Sequence, residues 1–217
     1  MARMTRKDLL NTPDEFVTTT NSVLVWIKEH PQQFIISVVV FVGILAGGYG
    51  FYYWKTSREL DGMNAYLKAT DNSQMTLQVA QDYSDTKAGK LAKLRLARMS
   101  LNQGNQKMAQ SYADEFINKW GSKDTFYWQA VLILADTYIQ QKAQAKALPL
   151  LDTCIENASI DLKDQALLLK AGALITLGKE NEARKSLSSV SENYRELANI
   201  LLASLGPLPA AKLNAKQ

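Results

Sequence analysis

The amino-acid sequence predicts an all-α protein in which one N-terminal transmembrane helix precedes a solenoid of repeated helix pairs. The first observation is an apolar stretch over residues 34–54 that contains no Asp, Glu, Lys, Arg or His. The second is that small residues recur downstream with a period in the mid-thirties, as they do in stacked helix pairs. The third is that no segment alternates apolar and polar residues as a half-buried strand does.

The first segment, residues 1–33, is predicted to be cytoplasmic and to contain a short amphipathic helix. Thr12 and Pro13 form a helix-start pattern, because Thr caps the first turn and Pro fits within it. The pair His30-Pro31 is expected to interrupt the helix before the apolar stretch begins. A partly ordered tail is the alternative interpretation of this segment.

Residues 34–54 are predicted to form a transmembrane helix that is retained in the mature protein. A helix rises about 1.5 Å per residue, so roughly 20 apolar residues cross a hydrocarbon core. A secretory signal peptide has a shorter apolar region close to the N-terminus. Here the stretch starts after 33 residues and ends in an aromatic cluster between Tyr49 and Trp54. Such clusters are typical of the membrane interface, because their rings are apolar while the polar tip stays hydrated.

The charges on either side of this stretch indicate its direction in the membrane. Basic residues lie on both sides, with Arg3, Arg6, Lys7 and Lys28 before it and Lys55, Arg58 and Lys68 after it. The positive-inside rule therefore favours a cytoplasmic N-terminus and places the large C-terminal region on the far side of the membrane.

Small residues inside the stretch form two spacings that favour helix packing. Gly43 and Gly47 lie one helical turn apart, and Ala46 and Gly50 repeat that spacing. Such residues allow two helix backbones to approach closely, so these four positions predict a contact with another transmembrane helix. The partner is either a second copy of the chain or another protein, and chance occurrence of the motif is the competing interpretation.

Residues 55–205 are predicted to form the repeat domain. Gly104, Gln140 and Gly178 are assigned to the turns of three helix pairs. An Ala follows each turn five residues later, and the small or apolar residues twelve positions before those Ala are Ala97, Ile133 and Ala171. The predicted helices are 88–101 and 105–119, 126–139 and 145–155, 161–177 and 179–194, followed by a closing helix over 192–205. Residues 206–217, which contain Pro207 and Pro209, are predicted to be a disordered tail.

The spacing over about residues 75–195 resembles the tetratricopeptide repeat, in roughly three imperfect units. The layout of a short first segment, one span and a divergent repeat domain is similar to that of the bacterial ancillary subunit of the SecYEG translocon. Residues 77–97, with Tyr83-Ser84-Asp85-Thr86 before a helix, are similar to the start of that family's repeats. This resemblance implies an inner-membrane protein whose periplasmic repeats contact the translocon, exported proteins or periplasmic chaperones.

The residue inventory argues against catalysis, cofactor binding and metal binding. The sequence contains one His, His30, and one Cys, Cys154, which its apolar neighbours predict to be a small buried side chain. No P-loop, HExxH or dinucleotide-binding pattern occurs. The net charge of +4 is too small to predict nucleic-acid binding. We therefore expect a non-enzymatic protein whose partners are proteins or peptides.

The repeat resemblance places the first helix of each pair on a concave face. The positions carried over are Leu91, Leu94, Arg98, Asn102, Tyr127, Ala130, Leu134 and Tyr138. Arg98 and Asn102 are predicted to hold a peptide backbone or carboxylate, while Tyr127 and Tyr138 offer broad amphipathic contact. Burial of the aromatic and apolar members in the core is the competing interpretation, because the helix 126–139 is apolar on most sides.

These observations predict a membrane-anchored adaptor or chaperone-like factor for exported or envelope proteins. The alternative is a structural accessory subunit that a larger membrane complex holds through the transmembrane helix.

Overall fold

A computed structural model of the chain describes residues 24–70 and 72–206, and these residues form helices and turns with no strand among them. The all-α prediction is therefore confirmed. The chain divides into two compact units, Met1–Ser57 and Arg58–Gln217. Each unit is described by itself below.

In the first unit, residues 24–29 are helical, and the long helix α1 (Pro31–Lys68) begins after His30. The break predicted at His30-Pro31 is confined to one residue, because His30 still donates its N–H to the Trp26 carbonyl at 2.9 Å. Helix α1 has 38 residues, so it is longer than the predicted span. The rest of the predicted cytoplasmic segment, residues 1–23, lies outside the described residues.

Helix α1 is long and apolar enough to cross a membrane, and its most apolar window of 18 residues has no residue buried within the protein. A soluble core helix of this composition would be covered by other elements of its own chain. Helix α1 is therefore a candidate membrane span by its length, composition and exposure.

The second unit begins within α1, at Arg58, and continues through a series of antiparallel helix pairs. Its further helices are α2 (Ser73–Asp82), α3 (Lys87–Asn102), α4 (Gln106–Trp120), α5 (Thr125–Gln140), α6 (Gln144–Asn157), α7 (Ile160–Thr176), α8 (Glu180–Ser188) and α9 (Arg195–Ser204), with a 3-10 turn at Glu192–Tyr194. The three predicted helix pairs correspond to α3 with α4, α5 with α6, and α7 with α8.

Side-chain caps begin several of these helices where the sequence supplies Asn, Thr or Asp. Asn72 accepts the N–H of Met75 at 2.9 Å, and Thr86 accepts the N–H of Gly89 at 3.2 Å. Asp124 accepts the N–H of Phe126 at 3.0 Å, so its carboxylate lies at the positive end of α5.

The repeat register predicted for the second pair is wrong by two residues. The turn position with positive φ is Gly104 in the first pair (φ 74°) and Gly178 in the third (φ 72°). In the second pair it is Lys142 (φ 58°), and the small residue five positions later is Ala147. Ala147 is fully buried, whereas Ala145, the predicted equivalent, is exposed. The spacing of Gly residues does not locate this turn, because Lys142 occupies the left-handed position that Gly104 and Gly178 fill in the other two pairs.

The end of the domain also differs from its prediction. Helix α8 stops at Ser188 rather than continuing to Tyr194, and the closing helix begins at Arg195. Asp164 of α7, which is buried, accepts both the N–H and the hydroxyl of Ser191 in the segment that follows α8. The N–H groups of Ser189 and Val190 already bond to carbonyls three positions earlier, so the α-helical pattern has ended before Ser191. The predicted tail lies outside the described residues except for Gly206.

Alanines at the helix crossings bring the pairs of the repeat domain together. Ala97, Ala109, Ala135, Ala147 and Ala171 are all fully buried, next to large side chains such as Phe116, Leu151 and Leu174. A small side chain at a crossing lets two helices approach, and the neighbouring large residues fill the remaining space. The core is therefore divided into successive clusters along the chain, as in a solenoid.

Candidate functional site

The first helices of successive pairs form one row. Helix α3 contacts α5, and α5 contacts α7, in addition to the contacts that each makes with the second helix of its own pair. In helical-repeat solenoids, the row of first helices forms the inner face, the surface on which such folds bind their partners.

A groove of about 210 Å³ opens on this row, and we call it the inner groove. It lies between α3, α5 and the last turns of α1, all within the second unit. Its lining residues are Tyr66, Leu91, Leu94, Arg95, Arg98, Phe126, Gln129 and Ile133. Leu91, Leu94 and Ile133 are buried and form the floor, while Phe126 keeps 42% of its surface exposed at one wall.

Arg95 forms a fixed wall of the inner groove. Its guanidinium lies over the Tyr66 ring, 3.8 Å from the centroid, and its Nη1 donates to the Tyr66 carbonyl at 3.0 Å. That carbonyl belongs to the last turn of α1, where the helix dipole favours a positive charge. Arg95 is therefore held in place by contacts within the protein.

Arg98 has no such contact. Within the described part of the chain, its guanidinium has no hydrogen bond or ion pair, although part of its surface is open to solvent in the groove. Burial by the surrounding walls lowers the pKa of Arg98, and the negative charge of Asp136 partly opposes that shift. Asp136 is itself partly withdrawn from water, so burial raises its pKa, while Gln140 donates a weak hydrogen bond to it at 3.5 Å.

A family model described as a tetratricopeptide repeat-like domain matches residues 25–206 of this chain. The chain belongs to this family. No curated protein and no solved structure matches it. The repeat resemblance inferred from the spacing is thereby confirmed, and helical repeats of this kind are typical of protein–protein interaction modules.

The tetratricopeptide repeat-like domain does not bring the four predicted binding residues together. Arg98 lines the inner groove, whereas Asn102 is exposed near the end of α3 and is not part of the lining. Tyr127 is partly buried and lies edge-on to the Trp128 ring at 5.0 Å. Tyr138 lies between α4 and α6, where Gln110 donates to its hydroxyl at 3.4 Å.

The local surroundings of Tyr138 are those of a packing residue. The Lys146 ammonium lies 5.6 Å from its ring centroid, and the ring packs against two core clusters. Burial raises the pKa of its hydroxyl, and the charge of Asp114 adds to that shift. Of the other predicted lining positions, Leu91 and Leu94 form the groove floor, while Ala130 and Leu134 are buried in the core.

Four residues of the inner groove were not singled out from the sequence: Tyr66, Arg95, Phe126 and Gln129. Tyr66 lies outside the helices assigned to the pairs, at the end of α1. Phe126 and Gln129 lie on α5, whose apolar residues nearly encircle it, so periodicity does not show which side is open. One feature of the sequence does favour an exposed Phe126. It lies in the first helical turn after the Asp124 cap, and neighbouring helices often leave side chains in a first turn incompletely covered.

The small-residue positions on α1 form a second candidate surface. Gly43, Ala46, Gly47 and Gly50 are all exposed within the first unit. A Cβ built on Gly43, Gly47 or Gly50 would meet no atom within 4 Å. We call these four residues the small-residue ridge, and nothing in the described part of the chain covers it.

The remaining reactive group, Cys154, is buried against the second core cluster, and burial raises the pKa of its thiol to about 11. A thiol in such surroundings is a poor nucleophile at neutral pH. In the described part of the chain, no group of three or more His, Cys, Asp or Glu residues is arranged to hold a metal ion.

Proposed function

We propose that this protein is a membrane-anchored protein–protein interaction module, which serves as an adaptor or chaperone-like factor for exported or envelope proteins. In this proposal it resides in the bacterial inner membrane with a cytoplasmic N-terminus and a periplasmic repeat domain. Its partners are polypeptides, including exported clients and the translocon. The proposal involves no catalytic step, no cofactor and no nucleic acid.

The observation that carries the proposal is the inner groove. Its floor is apolar, one wall exposes Phe126, and the other presents a guanidinium that has no partner within the described residues. A groove with apolar contact area and a few polar groups suits an extended peptide, because the backbone can cross it while single side chains enter.

The membrane part of the proposal is supported by helix α1. Residues 34–54 carry no charge and are all exposed within the protein. An exposed apolar surface of this length in water would drive aggregation, whereas lipid accommodates it. The compartment and direction follow from the resemblance in layout and from the distribution of basic residues, as argued from the sequence.

Site-specific photocrosslinking in intact cells tests the binding role. A benzoylphenylalanine placed at Gln129 lies in the inner groove, and the same group at Ser111 is exposed on α4, outside the groove. We expect exported polypeptides to be captured from position 129 and not from position 111. Equal capture from both positions, or none from position 129, would contradict the proposal.

The direction of the anchor is tested separately by a topology reporter fused after Gln217. Alkaline phosphatase becomes active only outside the cytoplasm, so we expect phosphatase activity from this fusion. Activity of a cytoplasmic reporter at the same position would instead place the repeat domain inside the cell.

A structural accessory subunit is the second candidate function, and the small-residue ridge favours it. Because nothing within the described chain covers the ridge, it is open to a second transmembrane helix. The double substitution Gly43→Leu with Gly47→Leu should remove a membrane partner while client crosslinking at position 129 persists. Leu45→Phe is the matched control, because residue 45 lies on the opposite side of the helix at 100° per residue.

A further inference from the structure

We propose that the protein pairs with a second copy of itself through the outer side of the last turns of α1. The contact consists of Leu60, Asn64 and Leu67, which we call the α1 outer face, and the two copies lie parallel. This inference goes beyond the proposed function, which requires no second copy. It takes from that function only that both copies insert into the membrane in one direction.

The first argument is that the end of α1 is apolar on two opposite sides. One side packs within the repeat domain, where Gly62 is buried and a Cβ on it would lie 3.0 Å from the Tyr83 ring. Leu60, Asn64 and Leu67 are spaced by four and three residues, so they share the opposite side. Leu60 and Leu67 each keep 62% of their surface exposed, and Asn64 is exposed between them. The ends of helical-repeat solenoids have polar outer faces, whereas this end exposes two leucines.

The second argument is that the α1 outer face has the spacing of a coiled-coil seam. In a parallel coiled coil, the residues between the helices occupy positions a and d of a seven-residue repeat. With Asn64 at position a, Leu60 and Leu67 both fall at position d. The buried Gly62 falls at position f, on the far side of the helix. Packing of α1 within the repeat domain therefore leaves the seam positions uncovered.

The third argument is that Asn64 selects the partner. An Asn at position a fixes the register and the number of helices, because its amide must find a hydrogen-bonding partner inside the contact. Two parallel copies in register place the two Asn64 amides opposite each other, and an amide both donates and accepts. A helix of another protein would have to carry a matching polar residue at the same level. The α1 outer face is therefore complementary to itself.

The charges beside the α1 outer face permit this register. In a parallel coiled coil, position e of one chain lies beside position g of the other. Here Asp61 and Lys68 occupy position e, whereas the residues at position g, Thr56 and Met63, are uncharged. No two like charges meet across the pair at these positions.

The seven-residue register also continues toward the N-terminus in the sequence. Gly43 and Gly50 precede Asn64 by 21 and 14 residues, and Ala46 precedes Leu60 by 14. Three residues of the small-residue ridge thus occupy positions a and d of the same repeat, where small side chains let two helices approach closely. The α1 outer face alone is smaller than the roughly 1,200 Å² that a stable interface buries, so we expect pairing to require the full-length chain.

The first test measures disulfide formation between copies of the full-length protein in native membranes. The variants are Leu60→Cys, Asn64→Cys and Leu67→Cys, each alone, and the matched control is Leu77→Cys on α2, where Leu77 is also exposed. Equivalent side chains at positions a and d lie close enough for a disulfide to form. We expect several-fold more oxidised dimer from the three variants than from the control. The wild type, whose Cys154 is buried, sets the background.

The second test asks whether two copies carrying different affinity tags co-purify from detergent. We expect the second tag to be recovered with the wild type. Leu60→Lys with Leu67→Lys should lower that recovery about tenfold, because charges replace the apolar seam. Met75→Lys with Leu77→Lys adds the same charges at exposed positions of α2 and should leave recovery unchanged. Circular dichroism checks folding, and the cysteine variants decide the question if the lysine variant does not fold.

Disulfide yields at positions 60, 64 and 67 no higher than at position 77 would overturn the inference, as would absence of the second tag from the wild-type sample. Loss of a different protein from the Leu60→Lys with Leu67→Lys sample, with no second tag in the wild type, would also overturn it and assign the face to that protein. Crosslinking at position 129 is measured in the same cells. If exported polypeptides are captured there without pairing, the inference fails and the proposed function stands; pairing without capture gives the reverse result.

Discussion

Apolar residues have opposite surroundings in the two units of this chain. Every residue in 34–54 is exposed, including large side chains such as Ile44 and Phe51. In the repeat domain, Phe116, Ile133 and Leu151 are almost completely buried. The same residue types therefore lie in different surroundings, because the repeat domain buries its apolar side chains within its own interior and the described chain does not cover those of the first region.

Glycine shows the same contrast at the level of single atoms. Gly43 and Gly47 of the first unit have open space around them. Gly89 of the repeat domain has none, since a Cβ there would lie 2.0 Å from the Tyr83 carbonyl oxygen. Gly89 is therefore required by packing within the chain, whereas no described residue packs against Gly43 or Gly47. The following predictions test this contrast, from the largest expected effect to the smallest.

Gly89→Ala should destabilise the repeat domain by about 3 kcal/mol, because the added methyl group would overlap a backbone carbonyl that cannot rotate away. Chemical denaturation followed by circular dichroism measures the change. Gly172→Ala is the matched control: it also lies within a helix, but its Cβ meets no atom within 4 Å. The control should stabilise the domain by up to about 1 kcal/mol through helix propensity. Similar losses in both variants would contradict the packing argument.

Asp164→Ala should cost about 2 kcal/mol, because the partly buried N–H and hydroxyl of Ser191 would lose their acceptor. The loss should be local, so hydrogen exchange is the measurement, with faster exchange expected in α9 and little change in α3. Asp161→Ala removes an exposed carboxylate from the same helix and should leave the exchange unchanged. Uniformly faster exchange in every helix would refute a local role.

Glu115→Gln should cost about 0.5 kcal/mol at neutral pH, the usual size for a partly exposed ion pair. Hydrogen bonds from Lys119 and Lys93 lower the pKa of Glu115. A lowered pKa in the folded state gives stability that is present above the unfolded pKa and is lost as pH falls through the folded pKa. The variant should therefore lose less stability than the wild type on acidification. Glu156→Gln, an exposed carboxylate without an ion pair in the described structure, should retain the wild-type pH dependence.

The double variant Gly43→Leu with Gly47→Leu should leave the stability of the repeat domain unchanged, because no described residue contacts the ridge. Thermal unfolding of the detergent-solubilised protein, monitored by circular dichroism, checks this expectation. A lowered unfolding temperature would show that the ridge packs against the chain's own residues, and the contrast between the two units would then be wrong.

Much of the fold could be predicted from the sequence because its signals are local. The caps at Thr86 and Asp124 and the turns at Gly104 and Gly178 depend on a few neighbouring residues, and the helices begin and end close to them. The second turn was displaced because Lys142 adopts a left-handed conformation without being Gly. The segment after α8 is held by Asp164, a residue far away in sequence, so no local pattern shows this contact.

The candidate site was predicted less completely, for a physical reason. Arg98 could be named because the repeat resemblance places the first helix of each pair on the concave face. Which residues face it depends on how α1, α3 and α5 pack, and α5 is apolar on most sides. The sequence could not show that Phe126 is open while Tyr138 packs between α4 and α6.

The most direct test of the central claim, that the inner groove carries the interaction, is a quantitative affinity purification of the full-length protein from detergent with its partners identified. Three chains are compared: the wild type, Gln129→Trp, which fills the groove, and Gly43→Leu with Gly47→Leu, which alters the ridge. We expect exported polypeptides to be lost from the Gln129→Trp sample and retained in the ridge variant. Loss of the same polypeptides from the ridge variant alone, with the groove variant unaffected, would contradict this account and favour a structural subunit held through its transmembrane helix.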